Sequence, residues 1–218
     1  ALADITPEIG RSAFDGCTRL SSGLSVYGKY ESIGERAFAE TALTRFTVPD
    51  SVTYVGEGAF YGTKNFTSLT IEQNYWYDAT ALAFRQIVTS AESLFGADPI
   101  TTWLSEHPSS DEEDYPFYTA YNKAVPKALS SLTVGGMLSV PASFLRGMRS
   151  LTDISLSIDN DKADLADIVP EIGQYAFDGC TQLDDDFSLY GTPLESTTYK
   201  FSKCLQQRFG IIEGVTDK

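Results

Sequence analysis

Apolar residues fall on alternate positions in a series of short stretches along the chain. Leu43-x-x-Phe46-x-Val48, Phe66-x-x-Leu69-x-Ile71, Leu129-x-x-Leu132-x-Val134 and Leu151-x-x-Ile154-x-Leu156 share one pattern. Leu24-x-Val26 and Phe187-x-Leu189 repeat its last part, with one extra residue after Leu20 and Leu183. A period of two turns these side chains to one face of a strand, so six strands are predicted. A Gly-Ala-Phe block precedes each: Ile9-Gly10 with Ala13-Phe14-Asp15-Gly16-Cys17, Ile33-Gly34 with Ala37-Phe38, Val55-Gly56 with Ala59-Phe60-Tyr61-Gly62, and Ile172-Gly173 with Ala176-Phe177-Asp178-Gly179-Cys180. Partial copies stand at Phe144-Leu145-Arg146-Gly147 and Phe201-Ser202-Lys203-Cys204. Phe14, Phe38 and Phe60 step by 24 and 22 residues, and residues 2–20 recur at 165–183 with a constant offset of 163. One such unit cannot enclose a core, but copies stacked in register bury the Leu, Ile and Phe positions as ladders. The pattern therefore predicts a solenoid with a parallel sheet on one face, six strands making a slab about 24 Å long.

Between Ile71 and Leu129 the repeat breaks, and Tyr75-Trp76-Tyr77, Trp103, Asp111 to Asp114, Tyr115, Phe117-Tyr118 and Tyr121 take over. Leu94-Phe95-Gly96 and Val125 to Leu129 read as remnants of an elaborated repeat. The chain is thus one domain, 1–218, with repeats at about 1–72 and 129–205, an aromatic and acidic insertion at about 73–128 and a C-terminal cap at about 206–218. Ala83-Phe84, Ile87-Val88, Ala91 and Leu94 follow helical spacing, with Asp78 or Thr80 as N-cap, and predict one short helix. Pro108-Ser109-Ser110 followed by four acids predicts an exposed loop.

Ile33-Gly34-x-x-Ala37-Phe38, Ala176-Phe177-x-Gly179-Cys180-x-x-Leu183 and Phe46-Thr47-Val48-Pro49-Asp50-Ser51-Val52-Thr53 resemble the BspA-type leucine-rich repeat family of bacterial surface proteins. The likeness covers most of residues 1–72 and 129–205. It implies an α/β leucine-rich-repeat solenoid that is mostly β, a right-handed superhelix with short 3₁₀ or irregular turns. It further implies an extracellular or cell-surface location and attachment to host matrix proteins, host cells or other bacteria.

Composition narrows the partners. With 30 acidic against 16 basic side chains the formal charge is −14 and the pI about 4.4. That field opposes phosphate backbones and anionic headgroups, so nucleic acid and membrane surface are excluded as expected partners. The apolar stretches fall far short of the roughly 20 residues that span a bilayer. Ala1 to Gly10 lacks the charged start and apolar middle of a secretory signal, which reads as a mature or excised chain. The array starting at Leu2 has no obvious polar cap, so its first coil is expected to be a truncation or a contact for end-to-end self-association.

Candidate chemistry is sparse. Cys17, Cys180 and Cys204 each lie three residues after a repeat Phe, as a small buried ladder residue would, and a Cys180–Cys204 disulfide is the rival reading. The single histidine, His107, sits in a polar stretch with no Gly-x-Ser-x-Gly phrase for it to serve. Asp159-x-Asp161-x-x-Asp164 lacks the central Gly of a calcium loop, and Asp184-Asp185-Asp186 is no better. Asn65-Phe66-Thr67 has the form of a glycosylation sequon, with Phe66 in the core ladder. No catalytic residue, metal or cofactor is expected.

Two sets of residues are candidates for recognition. The outward position between the last two inward ones of each strand is Ser25, Thr47, Thr70, Thr133, Ser155 or Ser188, a hydroxyl every time. Such a stripe suits a solvated strand and also offers neutral donors and acceptors to a glycan or an extended peptide. Tyr75, Trp76, Tyr77, Trp103, Tyr115 and Tyr118 stack sugar rings, anchor a protein partner, or seal the insertion onto the solenoid. The leading expectation is a non-enzymatic surface module that binds a protein. A carbohydrate-binding module is second, and a glycoside hydrolase with two facing carboxylates third.

Overall fold

The computed structural model describes residues 7–21, 29–96, 124–142, 144–165, 172–173, 176–177, 179–183 and 189–190. The alternating stretches are strands: β3 (Arg45–Val48), β5 (Ser68–Ile71), β8 (Ser131–Met137), β9 (Asp153–Ile158) and β10 (Leu189–Tyr190). All neighbours pair in parallel, in the order β10-β9-β8-β5-β3. The register sets Phe46 beside Leu69, Leu132 and Ile154, and Val48 beside Ile71, Val134 and Leu156. Each of these side chains is buried. The result is the mostly β solenoid that the repeat predicts, of about five turns.

A second parallel ladder, two residues wide, joins the Ile-Gly phrases: β1 (Glu8–Ile9), β2 (Ser32–Ile33) and β4 (Tyr54–Val55). Val140 and Ile172 bridge in the same way further along. Here the backbones close up. Gly34, Gly56 and Gly173 donate their N–H to Ile9, Ile33 and Val140, each at 2.7 Å. A Cβ on Gly34 would lie 2.5 Å from the Arg11 nitrogen. The glycine after each Ile is therefore a requirement of coil-to-coil approach.

At the corners, alternate amides serve two purposes. Ala37, Ala39 and Ala59 bond back three residues within their own coil, while Phe14, Phe38 and Phe60 donate at 2.8 Å to Ala37, Ala59 and Leu94 of the next. The Phe rings follow as a column. Phe14 and Phe38 stack at 5.3 Å, Phe38 and Phe60 at 5.6 Å, and Phe60 meets Phe66 at 5.2 Å. Three residues after the Phe, Thr41 and Thr63 are buried with their hydroxyls donated to the Phe38 and Phe60 carbonyls. Cys180 is buried at the equivalent place, its Sγ 3.2 Å from the Leu145 carbonyl oxygen. Cys17 departs from the expectation of burial: it is exposed, and among the described residues β1 ends its ladder and Phe14 stacks on Phe38 alone. Cys204 lies outside the described residues.

The single helix expected over residues 83–94 is corrected. β7 (Ala83–Gln86) pairs antiparallel with β6 (Tyr75–Asp78), and only α1 (Ala91–Phe95) is helical. Asp78 does accept from the Thr80 and Ala81 amides, at 2.9 and 3.0 Å. That is the bonding an N-cap would make, but an Asx turn makes it too. Leu82 then takes φ 52°, and the chain reverses into a hairpin.

Phe60 N–H donates to Leu94 O as Phe38 N–H does to Ala59 O, and Phe95 packs edge-on to Phe66 at 6.4 Å. Leu94 and Phe95 thus form a corner of the solenoid, and Val125 and Leu129 return to the same core. The interruption is thus part of a solenoid coil, with the hairpin as a detour from it.

Between these layers Tyr30 is buried. Burial pushes its phenol up to about 12, and the Glu72 carboxylate adds to the rise. The folded state then holds a proton that the unfolded chain releases near 10, so the folded state loses stability as pH rises from about 10 to about 12. Thermal melts across that range should fall for the parent and fall less for Tyr30→Phe; equal slopes would remove Tyr30 as the cause.

Candidate interaction surface

Alternation turns every second residue of the large sheet outward, and the parallel register aligns them across coils. Thr47 pairs with Thr70, Thr70 with Thr133 and Thr133 with Ser155, as the strand period requires. Ser25 and Ser188 lie outside the described residues. A second outward row runs Arg45, Ser68, Ser131 and Asp153, with Ser131 Oγ donating to Asp153 at 3.2 Å.

Hydroxyls one step before the strands have a different fate. Thr67 donates to Thr44 O at 2.8 Å and Thr152 to Ser130 O at 3.2 Å, each stapling its coil to the previous one. The side-chain hydroxyls of Thr47, Thr70, Thr133 and Ser155 make no hydrogen bond among the described residues. Their donors and acceptors face outward unspent.

At one margin of this face stand the hairpin and α2 (Asn160–Leu165), which leaves the end of β9. Two side-chain bonds fix the root of the hairpin: Asn74 Nδ2 donates to Val88 O at 2.9 Å, and Val88 N–H donates to Asn74 Oδ1 at 2.7 Å. Asn74 is 0% exposed. Tyr75 then crosses the end of β8 to reach α2, its hydroxyl donating to Asp159 Oδ2 at 3.0 Å. The crossing needs Gly135-Gly136. A Cβ on Gly136 would lie 3.0 Å from the Tyr75 ring, and one on Gly135 would strike the Glu72 carbonyl oxygen. Burial first, and then the bond to Asp159, raise the Tyr75 phenol above its usual range. Lys162 completes the join with its Nζ 5.2 Å from the Phe84 ring centre.

Antiparallel pairing divides the aromatic run. Tyr75 and Tyr77 share one face with Gln86 and Phe84, while Trp76 and Asp78 share the other with Arg85 and Ala83. Tyr75 meets Phe84 edge-on at 5.6 Å and Tyr77 lies 5.2 Å from it, so this face seals towards α2. Tyr77 keeps 49% of its surface exposed and Leu82, at the turn, 74%. On the opposite face Arg85 Nε pairs with Asp78 at 2.8 Å beside the half-buried Trp76. The Ala81 amide first, and then Arg85, hold the Asp78 carboxyl below its usual range. Tyr75, Trp76 and Tyr77 therefore do not form one platform. Trp103, Tyr115 and Tyr118 lie outside the described residues, as do His107 and Asp184 to Asp186.

The Asp159 phrase has a structural use. Oδ1 accepts the Lys162 amide at 3.1 Å, capping α2, and Oδ2 accepts Tyr75, while Asp161 and Asp164 are exposed. Among the described residues no three metal-ligating side chains converge. Asn74, Arg85 and Lys162 were not singled out by pattern, and Phe84 only as part of a helical spacing. Gly135-Gly136 inside a strand pattern was the available signal, since paired glycines there mark a close approach.

A family model described as BspA type leucine-rich repeat region matches the chain in six copies, over residues 2–95 and 146–217. Two solved structures are similar. A leucine-rich repeat protein from Eubacterium ventriosum is 17% identical, with 83% of this chain and 44% of that one covered and a TM-score of 0.31. One from Bacteroides ovatus is 18% identical, with 87% and 65% covered and a TM-score of 0.27. The chain thus spans less than two thirds of either. No curated protein matches it.

Proposed function

Because the chain belongs to the BspA-type leucine-rich repeat family, whose general role is that of a non-enzymatic interaction scaffold, we propose that it binds an extracellular protein at the bacterial cell surface through its hairpin and the adjoining hydroxyl face. The observation that carries this reading is a hairpin held rigidly at its root by Asn74 while presenting Tyr77, Leu82 and Arg85 to solvent. Aromatic and Arg side chains dominate binding hot spots, and pre-ordering them reduces the entropy lost on association. An exposed leucine in a left-handed conformation is a local cost without a packing return, which is the kind of position that binding explains. Surface location agrees with the family, and among the described residues no helix is long and apolar enough to cross a membrane.

A glycan is the second reading, favoured by the half-exposed Tyr77 ring braced on Phe84. Both are tested by binding the chain to panels of immobilised matrix proteins and glycans beside Leu82→Asp/Arg85→Glu and Tyr77→Ala variants. The protein reading expects the double variant to lose roughly tenfold or more in affinity, about 1.4 kcal/mol, with an unchanged melting curve. Selective loss on a glycan with Tyr77→Ala would move the assignment to carbohydrate. Undiminished binding by all variants would take recognition away from the hairpin.

A further inference from the structure

We infer that Asp159 and Lys162 are positioning residues: from the neighbouring coil they fix the direction in which the hairpin presents Tyr77, Leu82 and Arg85. This deepens the hairpin reading and rests on it. The recognition unit is then a hairpin and a helix together, joined by residues 84 positions apart in the chain.

Two strands alone are marginal in water, so β6 and β7 need support from outside their own ladder. That support comes in two places. At the root, Asn74 holds both polar groups of Val88, and nearby Gln86 Oε1 accepts the Ser139 amide at 3.3 Å. These bonds lie close together at one end of the hairpin, so they fix where it begins and leave its tilt over the sheet free. A pivot needs a second hold.

α2 supplies that hold through β7, the strand packed against it. Asp159 serves both elements at once: Oδ1 accepts the Lys162 amide and starts the helix, while Oδ2 accepts the Tyr75 hydroxyl at 3.0 Å. The carboxylate is itself anchored to the sheet, since Asp159 N–H donates to Met137 O at 2.8 Å and Ala163, in the same turn, is buried. Further out, Lys162 Nζ lies 5.2 Å from the centre of the Phe84 ring, whose π face attracts the cation. Phe84 pairs with Tyr77 across the hairpin and stands two residues from Leu82, so this contact acts near the tip. Tyr77 and Leu82 inherit their direction from a ring that α2 holds.

A hairpin kept in one direction is competent to bind at nearly every encounter. One that swings is competent in only a fraction of its population, and the apparent affinity falls by that fraction. The contacts made once bound are unchanged, so loss of positioning is read in association and not in dissociation.

Pulsed electron paramagnetic resonance between spin labels at Thr80→Cys and Thr47→Cys measures the hairpin tip against the sheet in the full chain, with Cys17→Ser and Cys204→Ser and with Cys180 buried. Tyr75→Phe/Lys162→Met keeps the ring packing and the Asp159 cap; it should broaden the distance distribution about twofold or more with an unchanged melting curve. Asp159→Ala should broaden it too. Asp159→Asn should match the parent, because its carbonyl still caps α2 and its amide donates to the tyrosine oxygen. On panel proteins that retain the parent, Tyr75→Phe/Lys162→Met should associate about threefold more slowly, with an unaltered dissociation rate. A distribution that stays narrow in this double variant overturns the inference, whether or not melting is lowered, and so does broadening with an unchanged association rate. Undiminished binding by Leu82→Asp/Arg85→Glu beside broadened distances would instead remove the hairpin as the recognition element and leave the hold of α2 on it standing.

Discussion

Gly56→Ala should unfold the solenoid at far lower denaturant than the parent, with a loss of about 3 kcal/mol or more. Its Cβ would be driven onto the Glu35 amide and would lie 2.7 Å from both Glu35 Cα and the Gly34 carbonyl carbon. These are backbone atoms of a coil already bonded through Gly56 N–H to Ile33 O at 2.7 Å, so neither side can give without opening the ladder. Gly10→Ala is the internal control. The residue has the same place in the repeat and nothing within 4 Å, so its change in dilute protein should stay within about 0.5 kcal/mol. Urea titrations of the two variants side by side decide the matter; equal midpoints would mean that helical or strand propensity, and not coil contact, sets the requirement for glycine.

Asn74→Ala should cost about 2 to 4 kcal/mol and release the hairpin before the rest of the molecule unfolds. The side chain satisfies both Val88 N–H and Val88 O in a fully buried site, so truncation strands a donor and an acceptor at once. Asn74→Asp separates the two contributions. A carboxylate still accepts from the Val88 amide but faces the Val88 carbonyl oxygen with like charge, and burying it is costly. Hydrogen exchange at the Val88 amide reads the local event directly: it should accelerate in both variants, while amides of Leu69 and Leu132 in the large sheet follow global stability. Protection at Val88 that tracks Leu132 in Asn74→Ala would show that the hairpin root is no separate unit.

The repeat phrases carried most of the fold because solenoid contacts join neighbours of like sequence. Thr47, Thr70 and Thr133 could be aligned from the chain alone, since a two-residue period leaves one choice of outward position once Phe46, Leu69 and Leu132 point inward. The hairpin was not legible in the same way. Residues 83–94 have helical apolar spacing, and the bonding of Asp78 to two following amides serves a helix start or a tight turn equally well. Pairing of Tyr77 with Phe84 and of Asp78 with Ala83 decided for the turn, and with it placed Trp76 on the face opposite Tyr75.

By itself, then, the sequence determined a stack of coils, the burial of the Leu, Ile and Phe ladders and the outward hydroxyl row, because each depends on spacing within one coil and on a neighbour like itself. Tertiary structure alone decided that Tyr75 meets Asp159 across 84 residues and that Lys162 lies over Phe84. It also decided which of two nearly identical coils buries its cysteine. Cys180 is buried against the Leu145 carbonyl of a neighbouring coil, whereas Cys17 is exposed among the described residues. A side chain's burial depends on what stands against it, and nearly the same residues at 2–20 and 165–183 are given different neighbours by their place in the stack.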